Sequence, residues 1–108
     1  MLFRSVKARS LEAAKLLHKS GANINARDHE GNTALRYACE WPEPQYETVN
    51  WLIQKHADIN ASNKDGMTPE TGNTSLSEAV RAYDNILAAA LIRAGADVNG
   101  LTDRKSVV

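Results

Sequence analysis

The sequence predicts an all-α solenoid, a stack of helix-turn-helix modules joined by turn fingers. Two recurring motifs carry that prediction. One appears as Gly21-Ala-Asn-Ile-Asn-Ala26, as His56-Ala-Asp-Ile-Asn-Ala61 and as Gly95-Ala-Asp-Val-Asn-Gly100. The other appears as Gly31-Asn-Thr-Ala-Leu35 and Gly72-Asn-Thr-Ser-Leu76, each ahead of a helical pattern that ends at the next copy of the first motif. The spacing is nearly constant. Gly21 and Gly31 are ten positions apart, as are His56 and Gly66; Gly31 and His56 are 25 apart and Gly72 and Gly95 are 23 apart. Stacked modules give such a ruler, because loops absorb insertions and packing surfaces do not.

The elements follow in order. Residues 1 to 20 read as two helices of a first module. In the second of them, Leu11 to Lys19, Leu11, Ala14, Leu17 and His18 share one face at helical spacing. Ser10 can cap it, and Gly21 supplies the left-handed residue that ends it. Thr33 to Glu40 forms a shorter helix carrying Leu35, Ala38 and Cys39. Pro42 and Pro44 stop it, and Trp41-Pro-Glu-Pro-Gln45 lengthens the loop by two residues. Thr48 to Lys55 carries Val49, Leu52 and Ile53; Thr74 to Ala82 carries Leu76, Ala79 and Val80; Asn85 to Ala94 carries Leu87, Ala88, Leu91 and Ile92. Gly66-Met-Thr-Pro69 looks like a module start, yet the helix waits until after Gly72, so six extra positions extend the finger there. His56 stands where a glycine is usual; a non-glycine residue in the left-handed region costs about 1 kcal/mol or more, and histidine is among the types enriched there.

These motifs resemble the ankyrin repeat, a module of about 33 residues with a β-turn and two helices. The likeness covers roughly residues 2 to 100 and implies one domain over 1–108. Its repeats fall at about 1–27, 28–62 and 63–100, with 101–108 the start of a further repeat or a tail. Ala34 and Ser75 replace the family's proline; Arg36 and Ser77 replace its histidine, whose side chain ties the turn. Both changes should lower stability. The resemblance also implies a concave face of fingers and first-helix ends that holds another protein. Matched residue by residue, that face comprises Arg27, His29, Glu30 and Asn32 on one finger, and Ser62, Asn63, Asp65 and Met67 on the next. Glu40, Trp41 and Arg81 come from first-helix ends. Trp41 is either the apolar anchor of the face or packing beneath the Pro42 loop; Trp51, in mid helix, reads as packing.

Composition narrows the function. Thirteen Lys and Arg balance 13 Asp and Glu, which disfavours a dedicated nucleic-acid binder or an acidic mimic of one. Cys39 is the only cysteine, so a reducing, intracellular and cytoplasmic setting is the simpler reading, with delivery into a host cell as the variant for a microbial effector. A buried Cys39 acting as a small hydrophobe fits its position better than a reactive thiol. No apolar run reaches the ~18 residues of a membrane span. The acid-poor, basic stretch from Arg4 to Lys19 also suits an organellar transit peptide, but its match to later segments favours helices.

His18, His29 and His56 lie far apart, without a metal-ligand spacing, and Asp28-His29-Glu30 reads as a solvated turn. No phosphate loop or nucleophile elbow occurs. The expectation is therefore a protein-binding module with no catalytic residues, metal or cofactor. The alternative is the recognition fragment of a larger enzyme or effector; Lys105-Ser-Val-Val108 occupies the place of another repeat start. As a partner the sequence implies a protein rather than nucleic acid or membrane. It implies a monomer, or weak self-association through an uncapped third repeat.

Overall fold

A computed structural model describes residues 2–40, 42–62, 74–96 and 98. Among the described residues it contains six α-helices in three pairs and no strand. The first pair is α1 (Leu2–Lys7) and α2 (Leu11–Lys19), the second α3 (Ala34–Ala38) and α4 (Tyr46–Gln54), the third α5 (Ser75–Arg81) and α6 (Asn85–Arg93). The short first helices form one layer, with α3 packed on both α1 and α5. The longer second helices form the other, where the His18 ring meets Trp51 edge-on at 5.6 Å.

Side-chain caps start the helices. Ser10 accepts from Ala13 N, Thr33 from Arg36 N, Thr74 from Ser77 N and Asp84 from Leu87 N. The caps satisfy donors that would otherwise have no intrahelical partner. Thr74 and Ser77 form a reciprocal capping box, Thr74 N donating to Ser77 Oγ at 2.9 Å. Ser77 thus ties its own turn in place of the family's histidine.

Five helices end in the same closure. A residue with positive φ follows the helix, and the next amide reaches back five residues to a carbonyl. The left-handed residues are Arg9, Gly21, His56, Tyr83 and Gly95, with φ of 64, 100, 65, 58 and 107°. The matching bonds are Ser10 N to Ser5 O at 2.8 Å, Ala22 N to Leu17 O at 2.9 Å, Ala57 N to Leu52 O at 3.0 Å, Asp84 N to Ala79 O at 2.9 Å and Ala96 N to Leu91 O at 3.0 Å. Helix α3 differs, because Gln45 N bonds Ala38 O at 2.7 Å across a loop two residues longer. The insertion expected there therefore leaves the register of α4 intact. Helix α4 starts at Tyr46, two residues before the expected Thr48, because the Gln45 carbonyl already accepts from Val49 N at 2.8 Å.

The core consists of one leucine or valine row per layer. Leu2, Val6, Leu35, Cys39, Leu76, Val49, Leu52, Leu87 and Leu91 are buried, with Ala14, Ala38 and Ala79 where helices approach closely. Trp51 is buried as expected. Two expected core positions are not: Val80 is 45% and Ile92 47% exposed. Val80 is the counterpart of Cys39 and Val6, which the following pair covers, so helical periodicity marks it as core while its place on the third pair leaves it out. Cys39 is buried, and burial pushes its thiol up to about 12 despite a hydrogen bond with Ser75. It stays a neutral space-filler at physiological pH.

One charged side chain crosses the first-helix layer. Arg36, 9% exposed, pairs with Glu40 at 3.2 Å on its own turn and with Glu78 on α5 at 3.5 Å, while its Nε has no hydrogen-bond partner. Removing Arg36 alone leaves the half-buried Glu78, its side chain 15% exposed, without this partner. Arg36→Ala should cost about 2 kcal/mol or more in urea denaturation, and Arg36→Leu combined with Glu78→Leu should recover most of it. At the closures, His56→Gly relieves about 1–2 kcal/mol of left-handed strain against about 0.4–1 kcal/mol of added unfolded-chain entropy, for a net gain near 0.5 kcal/mol. Gly95→Ala should instead lower the melting temperature, although the added Cβ meets nothing within 4 Å, because φ there is +107°.

Candidate protein-interaction surface

The finger between the first and second pairs is built on Asp28. Its amide donates to Asn32 O at 3.1 Å and its carbonyl accepts from Gly31 N at 3.0 Å, a three-residue hairpin loop with Gly31 at φ 83°. The Asp28 carboxylate holds the tip: Oδ1 accepts from Glu30 N at 3.0 Å and Asn32 N at 2.9 Å, and Oδ2 accepts from the Tyr37 hydroxyl. Partial burial pushes the Asp28 carboxyl up. The Tyr37 hydroxyl and the two amides outweigh it and leave the group below its ordinary value. Burial, then the bond to Asp28, raises the Tyr37 phenol. The ring of Tyr37 carries the ammonium of Lys7 at 5.3 Å from its centroid.

Cross-links hold the finger to its neighbours. Arg27 Nη1 donates to Ser62 O at 3.0 Å, Asp58 N to Asn25 Oδ1 at 2.8 Å, and Gln45 Nε2 to Val6 O at 2.8 Å. On the opposite layer the Tyr46 hydroxyl donates to Asp84 Oδ2, which raises the Tyr46 phenol above its ordinary value.

Against this frame the expected residues fall into three groups. Arg27, His29, Glu30, Glu40, Ser62 and Arg81 are exposed, Glu40 in its ion pair with Arg36 and Ser62 under Arg27. Asn32 is the exception on the finger. It is 6% exposed, and its amide group donates to Tyr37 Oη at 3.4 Å, so it braces the finger from inside and corrects the expectation of an outward contact. Trp41, Asn63, Asp65 and Met67, with the extended finger at 66–72, lie outside the described residues.

The closure bonds bring out residues that the motifs alone do not mark. Ser5, Ala38 and Ala79 accept equivalent bonds, so they are equivalent positions. One residue earlier stand Arg4, Tyr37 and Glu78; two residues later stand Lys7, Glu40 and Arg81. These two rows, three residues apart on each first helix, lie on one face. Two open grooves confirm it. One, of about 660 Å³, is lined by Phe3, Arg4, Lys7, Asp28, His29 and Tyr37; the other, of about 360 Å³, by Glu78, Arg81, Ala82 and Tyr83. Arg4 and Lys7 lie outside the residues expected from the motifs. The signal for them is the match of Leu2 and Val6 to Leu35 and Cys39, and to Leu76 and Val80. Among the described residues no three of His, Cys, Asp and Glu converge on one point.

Tyr37→Phe removes the hydroxyl donor while keeping the ring, and should cost about 1–2 kcal/mol at neutral pH by urea denaturation. Asp28 has a depressed folded-state value, so its contribution is complete above the usual carboxylate range near 3.8 and is lost as pH falls through the folded value. The wild-type advantage over Tyr37→Phe should therefore shrink below about pH 4, the region where Asp28 protonates.

Residues 1–63 of the 108 match the family of ankyrin repeats (3 copies). Among curated proteins, an ankyrin repeat and KH domain-containing protein of Caenorhabditis briggsae is 34% identical over 88 residues, 81% of this chain and 3% of that protein. Protein phosphatase 1 regulatory subunit 27 of Homo sapiens is 41% identical over 68 residues, 63% of this chain and 43% of that protein. A potassium channel of Arabidopsis thaliana is 37% identical over 59 residues, 55% of this chain and 7% of that protein. The chain spans less than half the length of each. With the recurring turn motifs, the helix pairs and this match over more than half of its residues, the chain belongs to the ankyrin-repeat family.

Proposed function

We propose that this chain holds a partner protein on the face formed by its finger and first helices, and that it performs no catalysis of its own. The observation behind this reading is the register of the first helices. Arg4 and Lys7, Tyr37 and Glu40, Glu78 and Arg81 repeat on one side of the layer, beside His29 and Glu30 at the finger tip. Such a surface has many adjustable positions and a rigid base, which suits recognition. Trp41 enters from sequence as the apolar anchor at the end of α3, and Asn63, Asp65 and Met67 as the neighbouring finger.

Both signs of charge occur across the face, and the chain as a whole balances 13 basic against 13 acidic residues. That favours a protein partner over a polyanion. A relative named as a phosphatase regulatory subunit is consistent with a role exerted through another protein. No helix among the described residues is long and apolar enough to cross a membrane. The single buried thiol supports an intracellular setting.

A second reading has its own observation. The Caenorhabditis and Arabidopsis relatives match this chain over 3% and 7% of their lengths. In them the matching segment is a small part of a much larger protein, and this chain could serve likewise as the recognition segment of a larger enzyme or effector.

The test is to isolate a partner by affinity capture and remeasure binding with variants. Trp41→Ala should cost about 2 kcal/mol or more of binding if it anchors the interface. Glu30→Lys and Arg81→Glu should each weaken binding through the charged rim while the far-ultraviolet dichroism stays unchanged. Affinity unchanged in all three, with loss on substituting Lys15 or Gln54 of the second helices, would place the partner on the opposite layer.

A further inference from the structure

The larger groove differs in charge from the rest of the face. Its cations are Arg4 and Lys7, both exposed, one turn apart on α1 and pointing into the same space. Its one carboxylate is Asp28, and both oxygens of that group are occupied, by the Tyr37 hydroxyl and by two finger amides. Glu40 lies near enough to influence Tyr37, but it is held by Arg36 at 3.2 Å. His29 closes the finger side, and Phe3 and Tyr37 give the groove an aromatic floor. The net charge of this groove is therefore positive, with the Lys7 ammonium 5.3 Å from the centroid of the Tyr37 ring and Arg4 beside it. In the smaller groove Glu78 stands beside Arg81 and no such excess exists.

We propose that the groove between α1 and the Asp28–Asn32 finger takes an acidic peptide segment of the partner, with a Glu or Asp carboxylate against Arg4 and Lys7 and a neighbouring apolar side chain on Phe3 and Tyr37. This rests on the reading that the first-helix face holds a protein, and it adds what chemistry the partner brings to one end of that face. Two exposed cations one turn apart can share one carboxylate, or meet two carboxylates spaced along an extended strand. The Tyr37 hydroxyl is held by Asp28, its ring is approached by the Lys7 ammonium and the residue is only 7% exposed, so the part of it that a partner meets is already ordered. An isolated exposed ion pair contributes little, and affinity should come from the carboxylate and the ring together.

The experiment titrates three probes into the isotope-labelled full chain and follows its backbone amides by NMR. The probes are a short blocked peptide of alternating glutamate and leucine, the same peptide with glutamine for glutamate, and a single-stranded oligothymidylate. The glutamate peptide should bind saturably, with shifts confined to α1, the finger at 28–32 and Tyr37. The glutamine peptide should bind about fivefold more weakly or worse, and Arg4→Ala and Lys7→Ala should each cost up to about fivefold, the range of an exposed ion pair. Lys15→Ala on α2, with its lysine on the opposite layer, should change nothing. Four outcomes overturn the proposal. They are no saturable binding, equal binding of the glutamine peptide, shifts centred elsewhere, and oligothymidylate binding in the same groove as tightly as the glutamate peptide. If the peptide fails while Glu30→Lys and Arg81→Glu still weaken the captured partner, only the acidic preference is lost. If the peptide binds here while the captured partner ignores those substitutions, the wider reading of the face fails and this site stands.

Discussion

The whole stack depends on a backbone constraint at the helix ends. Each closure needs one residue in the left-handed region and one amide bonded five residues back. Together these fix the direction in which the chain leaves the helix. Because Arg9, Gly21, His56, Tyr83 and Gly95 all satisfy it, helices of successive pairs leave at the same angle and equivalent positions come into line. Only glycine does so without strain; Arg9, His56 and Tyr83 accept an unfavourable φ in return for register. The loop from Glu40 to Gln45 tests the constraint most directly. Two extra residues and two prolines pass through it, yet the Gln45 amide recovers the bond that Ser10 and Asp84 make in the other pairs. Length can be added where the chain is free to bulge, provided that the closing bond survives.

Between pairs, apolar contact provides the attraction and a few polar groups set position. Buried leucines and alanines would allow α3 and α5 to slide along each other. Arg36, reaching Glu78 across the gap, allows one alignment. A buried pair of this kind adds little net stability, since desolvation offsets most of the attraction, and its Nε even lacks a partner. Its consequence is discrimination between alignments. Cross-links from Gln45 to Val6, Asn25 to Asp58 and Arg27 to Ser62 do the same at three other places, each through a neutral or exposed bond that costs less to form.

Local features of the sequence carried the fold. Stop residues at 21, 56 and 95 and the cap at Ser10 act within one turn, so reading them needs no knowledge of distant partners. His56 in the left-handed region, buried Cys39 and buried Trp51 follow from the same short-range logic. What escaped depends on neighbours far along the chain. Val80 and Ile92 have the periodicity of core residues yet are exposed, whereas Val6 and Cys39, the counterparts of Val80, are covered by the following pair. Asn32 looks like a finger residue, and only the position of Tyr37, five residues on, turns it inward. Ser77 repairs a turn for which no rule of single substitution would credit a serine, because its effect needs Thr74 as partner. Arg4 and Lys7 join the face through a register that is visible once Ser5, Ala38 and Ala79 are seen to accept the same bond.

This division between register and surface explains how one backbone can serve recognition. The residues that close the helices and fill the core are, with few exceptions, different from those that line the grooves. The exposed side chains of the rows can therefore vary with little disturbance to the stack, Glu78 excepted because Arg36 holds it across the gap. Tyr37 and Arg36 break the rule in instructive ways. Tyr37 offers its ring to the groove and its hydroxyl to Asp28, so any change at that row position also loosens the finger. Arg36 pairs with the exposed Glu40, so the surface charge along α3 is set partly from inside the layer. The surface of the central pair is thus partly written by buried residues, whereas that of the first pair is written by Arg4 and Lys7 alone. Surface charge can accordingly be altered at the α1 end by substituting exposed residues, while at α3 the same alteration changes how the pairs hold together.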